Sequence, residues 1–309
     1  MQGVSQEWRQ TTCRGDDPAP AARTRLLRLG VGLVEDVRSV ASEYQNGNEG
    51  FSADFQLCLP YRGMLVWHVG RDAVVGDANQ MLFVTGGEEY RISQPHPDGY
   101  AELIVTPELS VLAEIAGWDT DRLPWHPLFR RRSRLASPRL QSFRARFLSW
   151  ATRASDPGSG PRTELDGLMA EELVIALLRS AITDGNGHRN EARGSTGRLI
   201  RRTKAFLEAE FANPIRLADV GRAVGASPAY LTHVFRRVEG TSLHQYLTQL
   251  RLARALVELP RTEDLTALAL ETGFSSHSHF TRSFRRAFGV TPSEFRRKSR
   301  AYLPPEIPE

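Results

Sequence analysis

The chain has only two cysteines, Cys13 and Cys58. They exclude a disulfide framework and offer no zinc-type spacing, so reduced thiols in a cytoplasm are the expectation. No apolar run approaches the ~18 residues that cross a bilayer, and the N-terminus lacks the basic, apolar and small-residue succession of a secretory leader. A soluble cytoplasmic protein with no membrane partner is expected. Metal-ligand spacing is missing as well. His68 stands alone in its segment, His96 lies between two prolines, and Glu88, Glu89 and Cys58 fall into no recognisable pattern. No metal, cofactor or catalytic residue is assigned, and the chain is not read as an enzyme.

Lysine is scarce where positive charge is most concentrated. Residues 195 to 300 hold 18 Lys+Arg against 9 Asp+Glu, but only Lys204 and Lys298 are lysines. That region carries +9 in a chain of net +4, which leaves −5 for the remainder. An arginine-rich third with this imbalance points to a polyanion partner.

What is present divides by periodicity. At 309 residues the chain is long enough for two domains, each with its own core. Residues 1 to 24, rich in Pro, Ala and Arg, read as a disordered arm. From 25 to 135 the texture is short alternating segments between turns: DFQLCLP (54–60), GMLVWHV (63–69), NQMLFV (79–84) and AELIVT (101–106). These are strands of an antiparallel barrel or sandwich. Between 136 and 183 the period turns helical, with helices expected over 137–153 and 162–183. In the second, Leu165, Leu168, Met169, Glu172, Leu173, Ala176 and Leu177 form the expected inner stripe, widened by Leu178 and Ile182, which packs on the barrel or pairs two chains. DGNGHRNEARGSTG (184–197) has no apolar anchor and reads as a linker that couples the halves loosely.

The C-terminal third repeats itself. Gly225 pairs with Gly273 at an offset of 48, while Leu231 and Phe280, Phe235 and Phe284, and Gly240 and Gly289 are offset by 49. Each copy reads as helix, glycine turn, second helix and glycine stop. In GFSSHSHFTRSFRRAFG (273–289), Phe280, Phe284 and Phe288 recur every four residues and form one apolar stripe. The other faces carry cations and short hydrogen-bonding side chains, as a surface for an anion would. Such a helix fits the B-DNA major groove, and two of them ~34 Å apart would occupy successive groove segments. YLTQLRLARALVEL (246–259) is the expected connector helix, ~20 Å long. Its Arg251 and Arg254 read as solvated or salt-bridged.

These residues resemble the DNA-binding domain of the AraC/XylS family over 198–300, above all in GFSSHSHFTRSFRRAFGVTPSEFR, with residues 301–309 left as a tail. The resemblance implies that Ala229, Thr232 and His233 face bases in the first copy, and His277, Ser278, His279, Thr281 and Arg282 in the second. Arg236, Arg237, Arg285 and Arg286 read as phosphate contacts. More loosely, PYRGMLVWHVG and ANQMLFVTGGEEYRISQP resemble the cupin-like sensor domain that precedes such modules. The expectation is therefore an α+β protein of two domains. It has an N-terminal cupin-like antiparallel β-barrel with following helices, and an all-α double helix-turn-helix joined by a connector helix. The partners implied are double-stranded DNA, RNA polymerase, a small-molecule effector and a second copy of the chain. The implied function is a transcriptional regulator, an activator before a repressor. The competing readings are a metal-dependent cupin enzyme fused to a DNA-binding domain, and a ligand-free regulator whose N-terminal half binds protein.

Overall fold

The computed structural model describes residues 22–39, 48–95, 98–117, 132–154, 164–183 and 194–301. Residues 1–21 of the expected arm, 184–193 of the expected linker, 302–309 of the tail, Cys13 and His96 lie outside the described residues.

Among the described residues, ten strands lie in the N-terminal half: β1 (Ala22–Leu29), β2 (Gly32–Ser39), β3 (Asn48–Ser52), β4 (Gln56–Gly63), β5 (Leu65–Val69), β6 (Asp72–Gly76), β7 (Gln80–Val84), β8 (Glu88–Ser93), β9 (Tyr100–Pro107) and β10 (Ser133–Leu135). Each of the four quoted strand segments overlaps one of them. Every pairing is antiparallel, and the hydrogen bonds divide the expected barrel into two sheets. Six strands run in the order β1-β2-β9-β4-β7-β10, and four in the order β3-β8-β5-β6. The chain crosses between sheets at Gly63, whose φ of 68° and position 2.0 Å from the Gly99 carbonyl oxygen, measured from an added Cβ, admit no side chain.

Central strand β9 is buried on both faces, which is why its segment reads as a nearly continuous apolar run. Ala101, Leu103 and Val105 pack toward the helices, while Tyr100 and Ile104 join the layer between the sheets. By strand alternation Glu102 shares that inner face.

Helix α1 (Leu109–Ala116) precedes α2 (Pro138–Ala154) and α3 (Glu164–Thr183), which cover the six-stranded sheet. The buried side of α3 is Ala170, Val174, Leu177, Leu178 and Ala181. Leu177 and Leu178 of the expected stripe are on it, but Glu172 and Leu168 are exposed, and Ala170, Val174 and Ala181, which the stripe did not include, face inward. From Leu173 to Ile182 every position of α3 but Arg179 is apolar or small, so periodicity there could not choose the side on which sheet and α2 lie.

The C-terminal half is α4 (Gly194–Glu210), α5 (Leu217–Val224), α6 (Pro228–Glu239), α7 (Leu243–Glu258), α8 (Leu265–Glu271), α9 (His277–Phe288) and α10 (Pro292–Ala301). Helix α7, about 24 Å long, divides its apolar residues between two cores. Tyr246, Leu250 and Ala253 join that of α4 to α6, while Leu252, Ala255 and Leu256 join that of α8 to α10. Two expected boundaries shift. Residues 22–24 of the arm already belong to β1, and linker residues 194–197 open α4, where Gly197 is buried in helix packing.

The halves are not loosely coupled. Ala78, in the turn from β6 to β7, sits in the first helical core, and Ala145 of α2 sits in the second. Around them runs a buried polar seam. Asn79 Nδ2 donates to the Tyr246 carbonyl at 2.9 Å, and the Tyr246 hydroxyl donates to the Asp77 carboxylate. Lys204 Nζ lies 2.9 Å from Glu239. The fully buried Arg144 donates to the carbonyls of Pro60 and Ala78. Buried polar groups need such partners, and across the seam Asp77 and Asn79 find theirs on Tyr246 of the other half.

Candidate nucleic-acid interface

Local chemistry builds the two exposed helices in the same way. Ser227 caps α6 by accepting from Tyr230 N–H, with Pro228 in the first turn. Ser276, offset by 49, caps α9 by accepting from His279 N–H. Gly240 and Gly289 end the two helices at φ 67° and 75°. Within the first turn, a Cβ on Gly221 would lie 2.7 Å from the Ala226 carbonyl oxygen, so α5 and α6 approach through a residue with no side chain.

On α9, Phe280 and Phe284 are fully buried and meet edge to face with centroids 5.6 Å apart, while Phe288 is half-buried against Phe284 at 4.6 Å. The opposite side presents His277, Ser278, Arg282, Arg285 and Arg286 to solvent, with Thr281 half-buried. Six expected contacts, His277, Ser278, Thr281, Arg282, Arg285 and Arg286, line one open groove of about 650 Å³, joined by Thr291 from the start of the next helix. His277 Nε2 lies 3.4 Å from Thr281 Oγ1 within it. His279 stands apart, with its ring edge on Phe274 at 5.4 Å and Nδ1 3.2 Å from Ser275 Oγ.

On α6, Leu231, Val234 and Phe235 are buried, and Ala229, Thr232, His233, Arg236 and Arg237 are exposed. The Thr232 hydroxyl donates back to the carbonyls of Pro228 and Ala229, which leaves its oxygen free to accept. The outward side of neither helix carries an acid. The only carboxylate of α6, Glu239, is buried against Lys204, and α9 has none. Neither helix therefore supplies an acid to offset its own exposed arginines, although the carboxyl of Glu294 on α10, lowered first by hydrogen bonds from Thr291, lies close enough to Arg285 to be lowered by it as well.

Tyr230, 53% exposed, is a surface residue of α6 that sequence reading passed over. The signal was available, because the 49-residue offset pairs it with His279. The connector arginines face elsewhere. Arg251 donates to the carbonyls of Phe211 (2.7 Å) and Asn213 (2.9 Å), and Arg254 is ion-paired with Glu208. Both tie α7 to the chain at and just after α4.

The N-terminal polar residues are also engaged. His68 Nε2 lies 2.8 Å from Ser93 Oγ, and burial, aided by Arg91 and Arg201, lowers the imidazole pKa. Glu88 receives both terminal nitrogens of Arg132 at 2.6 and 2.8 Å. Cys58 is buried, which pushes its thiol upward. Among the described residues no three His, Cys, Asp or Glu side chains gather as a metal-holding group, and no helix is long and apolar enough to cross a membrane.

A family model described as a helix-turn-helix domain matches residues 220–298. The regulatory protein SoxS of Escherichia coli K12 is 34% identical over 102 residues, which is 33% of this chain and 95% of SoxS. The Msm operon regulatory protein of Streptococcus mutans is 26% identical over 141 residues, 45% of this chain and 50% of that protein. The chain thus spans about half the length of this longer relative. A crystal structure of a transcriptional regulator with an AraC-type DNA-binding domain from Chromobacterium violaceum is 31% identical, covering 33% of this chain and 91% of that one, with a TM-score of 0.31.

Proposed function

Since the chain belongs to the AraC/XylS family of helix-turn-helix regulators, we propose that it binds specific DNA sites as a transcriptional activator. The observation that carries this is the acid-free polar surface of α9, in which three arginines line one groove with His277, Ser278 and Thr281. Ser278, Thr281 and Arg282, with His277 and His279, read bases from the second helix, and Ala229, Thr232 and His233 from the first. Arg236, Arg237, Arg285 and Arg286 hold phosphates, which gives affinity and salt dependence without sequence information. The N-terminal sheets sense a small molecule, pair two chains, or do both, and the bound complex engages RNA polymerase. Leu168, 55% exposed on α3, supports pairing through that helix.

The test begins by mapping bound sites genome-wide and reading which neighbouring genes respond. On such a site, Arg282→Ala should cost ~1–3 kcal/mol of specific binding and little nonspecific binding, because a guanidinium pairs bidentately with guanine. Arg285→Ala should weaken both alike and lower the salt slope by about one. Fluorescence anisotropy on specific and scrambled duplexes separates the two, and an equal loss for Arg282→Ala removes it from the readers.

A further inference from the structure

The two exposed helices are one scaffold used twice. Each is 12 residues long, from Pro228 to Glu239 and from His277 to Phe288, with a serine N-cap and a left-handed glycine at its end. At the 49-residue offset the exposed arginine pairs coincide, Arg236 with Arg285 and Arg237 with Arg286. Leu231 and Phe235 are buried where Phe280 and Phe284 are. Matching caps, length, inward side and arginines give both helices the same pose on a duplex, because phosphate contacts fix register and orientation. A difference between them at the groove end is then a difference in what they read.

That end differs at almost every position. The first turn of α6 is Pro228, Ala229 and Tyr230, and that of α9 is His277, Ser278 and His279, all exposed. One turn on, His233 stands where α9 has Arg282. The shared threonines are also engaged differently. Thr232 donates its hydroxyl proton to the carbonyls of Pro228 and Ala229, at 3.1 and 3.0 Å, so its outward groups are a methyl and an oxygen that only accepts. Thr281 Oγ1 lies 3.4 Å from His277 Nε2, a partner that proline cannot supply at the equivalent position of α6. The reading end of α6 thus offers mostly apolar atoms, with the Tyr230 hydroxyl and the His233 ring as its donors. That of α9 sets a guanidinium in one open groove with His277 and Ser278.

We propose that this chain reads a composite site of two unlike segments about one helical turn apart, not a direct repeat: a thymine-rich segment beneath α6 and a guanine-containing segment beneath α9. In the first, Ala229 and the Thr232 methyl pack on the C5-methyl groups of thymine. In the second, Arg282 takes guanine N7 and O6 as a bidentate pair. The four arginines grip both segments alike, so affinity is shared while sequence preference is divided unequally. Most of the preference falls on the guanine segment, because a bidentate pair discriminates more strongly than a methyl contact. This rests on the reading that α6 and α9 enter DNA, and it names the sequence class that each accepts.

The experiment is selection of duplexes from a random pool by the full chain, followed by fluorescence anisotropy on the recovered site. The native protein should enrich a thymine-rich block and a guanine-containing block of different sequence. Deoxyuridine in place of thymine in the first block removes only the methyl, and should weaken binding about fourfold per contacted methyl. 7-Deazaguanine in the second block removes only N7, and should weaken binding of the native protein about tenfold while leaving Arg282→Ala unaffected. Ala229→Ser combined with His233→Arg gives α6 the residues that α9 carries at those exposed positions, and this variant should enrich guanine in the first block as well. The proposal is overturned if the native protein enriches two copies of one sequence, if deoxyuridine in the first block leaves affinity unchanged, or if the double variant enriches the native site. Each of those outcomes leaves sequence-specific binding intact. A pool that yields no duplex bound above its scrambled control would remove the DNA-binding reading, and this one with it.

Discussion

Glu102 shows what a single residue can contribute that no pattern announces. It stands on β9 between the sheets, 3% exposed, and its Oε2 has no hydrogen-bond partner. Burial raises its carboxyl from 4.5 to about 7, against a smaller opposing pull from Arg23. A folded-state pKa above the unfolded value means the native state holds the proton more tightly. The stability linked to this group is therefore full below about pH 4.5 and is lost as pH rises through about 7. The loss is on the order of 3 kcal/mol at 1.36 kcal/mol per pH unit. Glu102→Gln should remove that dependence, so its stability relative to the native protein should grow across this window and level off above it. Urea unfolding at stepped pH measures the difference, and a constant offset would show that the carboxyl is already ionised in the fold. In sequence, AELIVT marked a strand and said nothing of the acid within it, because Glu in a strand faces water far more often than it faces an inner layer.

At the scale of the element, the two helix-turn-helix units were legible from their caps, glycines and apolar spacing, and the 49-residue offset carries over to Ser227 and Ser276 as the two N-caps. The turn glycines look alike in sequence and differ in surroundings. Gly225, at φ 71°, has open space where a Cβ would go. Gly273, at φ 84°, would place a Cβ 2.4 Å from the Phe211 carbonyl oxygen and 2.8 Å from Arg251 Nε. Gly225→Ala should therefore cost only the left-handed backbone penalty of about 1 kcal/mol. Gly273→Ala should cost about 2–4 kcal/mol, because the contact between α7, the end of α4 and the second unit must also shift. Thermal unfolding of the two variants side by side tests the ordering. Helix α3 shows the reverse case: its composition made the helix plain and its spacing places Leu177 inward, but only the position of the sheet selected Val174 over Leu168.

At the scale of the whole molecule, the decisive feature is that the halves share a buried seam. Asp77, Asn79 and Gln80 come from one β turn and Tyr246 from the connector helix, 166 to 169 residues away. Tyr246→Phe leaves the ring packed on Phe235 at 5.3 Å but removes the hydroxyl donor from Asp77 Oδ2, with only the Asn79 N–H left on Oδ1 at 2.9 Å. It should cost about 1–3 kcal/mol, and that loss should fall on the docking of the halves more than on either core. Hydrogen exchange should show faster opening at residues 77–80 and on the facing side of α7, with protection in α9 retained. Uniform loss across the chain would mean that the seam is not a separate unit.

The sequence by itself determined the strand-rich half, the doubled helical unit, the exposed acid-free sides of α6 and α9 and their basic charge. Those properties follow from local periodicity, capping and composition, which need only a few neighbouring residues. Tertiary structure alone decided the two-sheet pairing, the inward side of α3, the burial of Glu102 and the joining of the two halves. Each of these depends on which distant surfaces meet, and a buried polar group acquires its meaning only from the partner that reaches it or fails to.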